Sequence, residues 1–194
     1  MPPEIQFSAE RIVDAAIEIT REEGIAAVTA RAIAHRLGCS VKPVFTAFGS
    51  MDDVARATAD RAKSIFTDFM QEPYEKLSFM RIGLRWIDFA RCEPNLYRLL
   101  FMPSGGDAKT LTPLNVFANF SDLTEKVVPI IRREFDLTQE QSYRLYNQMI
   151  IHAHGMACIL AVGQAEFTER SIREIFSETV ESLVEHYKNG RNQE

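Results

Sequence analysis

A chain of 194 residues with 46% hydrophobic content is long enough to bury a core as one large domain or two small ones. No uninterrupted apolar run approaches the roughly 18 residues that cross a bilayer, which speaks against a membrane partner. Three cysteines (Cys39, Cys92, Cys158) at wide spacing, and no basic-then-apolar leader, predict a reduced, cytoplasmic protein without a disulfide framework.

The net charge of −5 opposes a general nucleic-acid surface, but the charge is unevenly spread. There are 27 acidic residues in the chain, yet none between Gly24 and Met51, a window that holds Arg31, His35, Arg36 and Lys42. A local basic face on an acidic protein is the footprint of a small DNA-binding head on a larger body.

Period 3.6 recurs throughout and no segment alternates strictly, so the chain reads as all-α, with about nine helices. Ile12, Ala15, Ala16 and Ile19 share one face of a first helix, capped by Ser8 and stopped by Gly24. A short second helix starts at Thr29, places Ala30, Ile33, Ala34 and Leu37 together, and breaks at Gly38. Ser40 is expected to cap a third, Val41 to Ala47, with Pro43 in the first turn, where its missing N–H has no intrahelical role. Ser50 and Asp53 form a capping-box variant that opens a fourth, to about Gln71. A fifth is expected from Pro73 to near Cys92, and a sixth from Pro94. The loop Met102–Thr112 precedes helices over about 113–135, kinked or interrupted near Pro129, 138–163 and 168–189.

The second and third helices, joined by "LGCS", form a helix-turn-helix, in which the first helix braces and the second enters the major groove. Val41, Val44 and Phe48 fall on one side and are expected to pack inward, leaving Lys42, Pro43 and Thr46 outward. Lys42 can donate to guanine or phosphate, Thr46 to either, and Pro43 suits a thymine methyl.

The segment "RIVDAAIEITREEGIAAVTARAIAHRLGCSVKPVFTAFGSMDDV", Arg11 to Val54, resembles the N-terminal DNA-binding domain of the TetR family of bacterial transcriptional regulators. The residues that carry the likeness are the Ala15-Ala16 pair, Gly24, Thr29, Ile33-Ala34, Gly38, Ser40, Phe45, Phe48 and the acidic start of the fourth helix. The resemblance implies a homodimeric, ligand-responsive regulator, usually a repressor. Its helix-turn-helix domain would span 1–50 and its helical effector-binding and dimerisation domain 51–194. Its implied partners are a double-stranded DNA operator and a small-molecule effector. Thr29, Arg31, Arg36, Ser40, Val41, Lys42, Pro43, Phe45 and Thr46 are the implied DNA-facing residues. Members typically carry a tyrosine where this chain has Phe45 and a lysine where it has Met51, both phosphate contacts. A helical dimer that binds a small molecule or protein, with DNA binding weakened or lost, is the alternative.

In the fifth helix, Arg81, Arg85 and Asp88 form a polar stripe, read either as a solvated face with an Arg85–Asp88 pair or as the edge of an effector pocket. The pocket reading takes Arg85, Trp86 and Phe89, with Phe101 and Met102 as a gate. His154 and Cys158 are spaced to share a metal, but no third ligand accompanies them, so neither metal nor cofactor is expected. Ala153, Gly155, Ala157, Ala161 and Gly163 allow close helix approach, and with Ile172, Ile175, Phe176, Thr179, Leu183 and Val184 of the last helix the family resemblance implies a four-helix dimer seam there. No catalytic signature is present and an enzyme is not expected.

Overall fold

A computed structural model of the chain describes residues 7–71, 78–102 and 121–190. Among them are nine α-helices and no strand: α1 (Ala9–Glu23), α2 (Ala30–Leu37), α3 (Lys42–Ala47), α4 (Met51–Met70), α5 (Phe79–Cys92), α6 (Pro94–Phe101), α7 (Ser121–Phe135), α8 (Gln139–Ala161) and α9 (Glu169–Gly190). A 3-10 turn, Ile25–Ala27, joins α1 to α2. None of these helices is long and apolar enough to cross a membrane. The expected fifth-helix start at Pro73 and the loop Met102–Thr112 fall largely outside the described residues. Pro129 lies inside α7, which runs through it without interruption.

The chain divides into two compact units, Met1–Asp68 with Glu93–Pro103, and Phe69–Cys92 with Ser104–Glu194. In the first, Ser8 caps α1 by accepting the Arg11 N–H, and the periodic face of that helix becomes the centre of a small core. Ile12, Ala15, Ala16 and Ile19 close on Ile33 of α2, Val44 of α3 and Val54 of α4. Thr20 is buried in this apolar setting because its hydroxyl donates back to the Ala16 carbonyl at 2.7 Å. Arg21 makes a bidentate contact with Glu93, and the Asn95 side chain donates to the Arg21 carbonyl, which ties the end of α1 to the start of α6. The Arg21 guanidinium is pushed further toward its charged form chiefly by the Glu93 hydrogen bond. Phe66, Tyr97 and Phe101 stack as a buried aromatic group, with centroids 5.2 Å apart for Phe66–Phe101 and 4.7 Å for Tyr97–Phe101.

In the second unit α5 and α7 both pack on α8, which also carries α9. Thr138 and Gln141 form the anticipated capping box, and the Gln141 side-chain amide donates to the Tyr187 carbonyl, locking the start of α8 to the end of α9. Gly83 lets α5 approach α9 so closely that the Phe176 ring sits against its backbone. On α8, His152 stands edge-on to Phe176 and its buried Nε2 finds no partner among the described residues, while His154 touches the Cys158 sulfur at 3.4 Å. No third His, Cys, Asp or Glu joins that pair among the described residues.

Burial pushes both imidazoles below the ordinary histidine value and raises the Cys158 thiol. With folded-state values depressed, the unfolded chain binds protons first as pH falls. The stability carried by the neutral imidazoles is complete above about pH 6.5 and declines below it. Tm measured from pH 8 to pH 5 should therefore drop below about pH 6.5. The double variant His152→Gln/His154→Gln should flatten that drop, and an unchanged slope in the variant would refute the assignment.

Candidate nucleic-acid interface

The turn between α2 and α3 is built from the ends of both helices. Thr29 caps α2 by accepting the Ala32 N–H at 3.1 Å. Gly38 ends it in the left-handed region (φ 66), while the Cys39 N–H reaches back to the Ala34 carbonyl at 2.9 Å. The chain leaves this closure one residue later than the sequence suggests. Val41 takes the cap position of α3 in helical conformation with no side-chain cap, and Ser40 is exposed and does not cap. The 6→1 bond from Cys39 consumes the turn in which a Ser40 cap would have formed. Pro43 sits in the first turn, as expected.

This placement sorts the side chains of α3. Val44 is wholly buried, and Phe48, half-buried, closes the helix against the same core. Val41, expected inward, is instead 40% exposed, because a residue at the cap has not yet turned onto the core face. Phe45 is 49% exposed. Ser40, Lys42 and Thr46 are also exposed, and with half-buried Pro43 they line one wall of a cleft of about 580 Å³ whose other wall is Phe7, Ser8 and Ala9. Sequence reasoning missed Phe7. Its position just before the Ser8 cap, where an apolar residue packs on the first turn of a helix, was the available signal; Arg11 lies over its ring at 5.8 Å.

The other candidates are placed unequally. Arg31 is exposed on α2. Thr29 is occupied by its cap. Arg36 is held by two carboxylates of α1, Glu22 through a bidentate contact and Glu18 at 3.3 Å. The Glu22 hydrogen bond raises the Arg36 value, and the same bond holds the Glu22 carboxyl below the usual range. Thr46 donates its hydroxyl to the Lys42 carbonyl at 3.0 Å. At the start of α4, Met51 packs half-buried on the core of the first unit. Ser50 bonds the Asp53 N–H and carboxylate, and Arg56 pairs with Asp53. The Ser50 bond first, and Arg56 second, keep the Asp53 carboxyl ionised to lower pH.

Of the residues proposed for an effector, Arg85, Trp86 and Phe89 lie on α5 in the second unit, and Phe101 and Met102 at the end of α6 in the first. Arg85 donates to the Phe69 carbonyl near the end of α4 and lies over the Phe69 ring, and Asp88 pairs with Arg91 in place of Arg85. Phe89 is buried edge-on to Phe69. Phe101 belongs to the aromatic group of the first unit, and Met102 ends α6. Trp86 lines an apolar cavity of about 30 Å³, with Gly83, Met149 and Phe176 among its walls. That holds a water or two, against the roughly 300 Å³ of ordinary ligand pockets.

Comparison with known proteins agrees with this geometry. Residues 12–58, which span α1 to the first turns of α4, match the bacterial regulatory proteins of the tetR family. No curated protein matches the sequence significantly. Among solved structures, a TetR-like transcriptional regulator from Rhodococcus sp. RHA1 shares the fold, with a TM-score of 0.57 at 15% identity over 90% of this chain and 92% of the other. Residues 12–58 therefore form a helix-turn-helix domain of the tetR family of bacterial regulatory proteins.

Proposed function

We propose that this tetR-family regulator binds duplex DNA as a cytoplasmic homodimer, responds to a small-molecule effector, and acts as a repressor. On this reading residues 1–50 form the DNA head and 51–194 the effector-binding and dimerisation part, with no enzymatic role. The observation that carries it is the orientation of α3: Val44 is anchored in the core while Val41, Lys42, Phe45 and Thr46 face outward together. A helix held in this way fits the major groove, and two of them in a dimer would meet half-sites about one helical turn apart. Arg31 and Lys42 are exposed cations on the same head and suit phosphate contacts.

The large apolar residues exposed in the second unit support dimerisation. Tyr143, Ile151 and Val162 on α8 and Ile175 on α9 are uncovered. Ala153, Ala157, Ala161, Ile172 and Phe176, which the sequence assigned to the seam, are buried within the subunit. Gly155 remains open, with nothing near the position a methyl would take. The seam is therefore better drawn through Ile151, Gly155 and Ile175.

Binding to duplexes enriched from a random-sequence pool, measured across salt concentrations, tests the reading. Each phosphate neutralised contributes about 0.9 to the slope of log K against log salt, so Lys42→Ala should lower the slope by about 1.8 in a dimer. Absence of saturable duplex binding even near 50 mM salt would leave the second reading, a helical dimer without DNA binding. Phe45 and Met51, an apolar pair where the family carries phosphate contacts, are what favour that alternative.

A further inference from the structure

We infer that the DNA head reads sequence chiefly through thymine methyl groups, with Val41 and Phe45 as the reading residues. This inference rests on the proposed DNA binding and adds the chemistry of recognition. Among the described residues of the first unit, Val41 and Phe45 are the most exposed large hydrophobic side chains, and both lie at α3. They are separated by four positions, which on a helix places them side by side along one stripe. Single exposed apolar residues are commonplace on protein surfaces. A pair confined to the groove-facing stripe of a reading helix is a surface with a purpose.

The polar inventory of the same helix is small. Thr46 gives its hydroxyl proton to the Lys42 carbonyl, and what remains outward is its methyl group and acceptor lone pairs. Pro43 has no N–H to offer. The guanidinium of Arg36, on the preceding helix, is occupied by Glu18 and Glu22. On α3 and the turn before it, donors for base edges are thereby reduced to the Lys42 ammonium and the Ser40 hydroxyl, and no Asn, Gln or Arg stands on α3 to make a bidentate bond with adenine or guanine. The major-groove edge of an unmodified duplex presents one apolar group, the C5 methyl of thymine. An aromatic ring and a branched aliphatic, pressed into that groove, lose water only to a methyl; against the polar edge of a G·C pair they would strip hydration from donors and acceptors and return no hydrogen bond.

The test uses the full-length protein and the duplex it selects most strongly from a random pool. That duplex is then resynthesised with deoxyuridine for thymidine, one position at a time and throughout, which deletes the methyl and leaves every base-pair hydrogen bond unchanged. Each methyl that meets Val41 or Phe45 should be worth about fourfold in Kd, and Phe45→Ala should bind the thymine and uracil duplexes alike at the positions it reads. Phe45 is exposed, so the variant keeps its core, which far-UV circular dichroism would verify. If wild-type protein binds the selected duplex and uracil substitution leaves Kd unchanged, methyl reading is overturned while DNA binding stands. If Phe45→Ala and Val41→Ala both retain the full thymine preference, these residues are not the readers and the inference falls. If no duplex is enriched at all, the DNA-binding reading and the inference fall together.

Discussion

Phe176→Ala should destabilise the helical second unit by about 3–5 kcal/mol in urea unfolding. The ring is fully buried, packs on the bare backbone of α5 at Gly83, and lines the small apolar cavity, so its removal enlarges an existing void. Gly83→Ala attacks the same contact from the other side. A methyl at Gly83 would overlap the ring, costing about 1–3 kcal/mol by overpacking, whereas glycine to alanine inside an open helix gains up to about 1 kcal/mol. In the Phe176→Ala background the clash is gone, so Gly83→Ala should change sign and stabilise. Equal cost in both backgrounds would show that the ring and the glycine are not energetically joined.

Ile151→Lys should dissociate the proposed dimer at least about a hundredfold, equivalent to about 2.7 kcal/mol. Ile151 is 56% exposed on α8, the most exposed of the large hydrophobic residues in the described chain. In a two-fold interface one substitution is made twice on the same patch, and two ammonium groups would be desolvated near one another without partners. Sedimentation equilibrium reads the mass, and an unchanged helical spectrum would show that each subunit stays folded. A variant that keeps the wild-type mass would move the seam away from α8. If the proposed dimer grips two half-sites at once, the monomeric variant should also lose DNA affinity without any change at α3.

Much of the fold was legible because local chemistry and tertiary packing agree. The Ser8, Thr29 and Thr138 caps, the stops at Gly24 and Gly38, and the Pro94 start each state a backbone requirement that one residue type meets. What misled was chemistry decided at a distance. Ser40 has the composition of a cap, but the closure of α2 shifts the start of α3 past it. Arg85 and Asp88 are spaced to pair, yet the Phe69 carbonyl near the end of α4 claims the guanidinium. The alanines of α8 have the size for contact between subunits and are consumed inside one. Spacing tells which residues share a face and leaves open which neighbour that face meets.

The clasp of Arg36 by Glu18 and Glu22 changes what the basic composition of the head amounts to. Counted as one cation and two anions, the cluster presents a net single negative charge toward whatever approaches it. A phosphate that drew Arg36 away would leave two carboxylates of α1 without their cation and would remove the tie between α2 and α1. The same guanidinium serves as a strut for the head or as a hand on the DNA, so rigidity and grip compete for one charge. In this chain the strut has it.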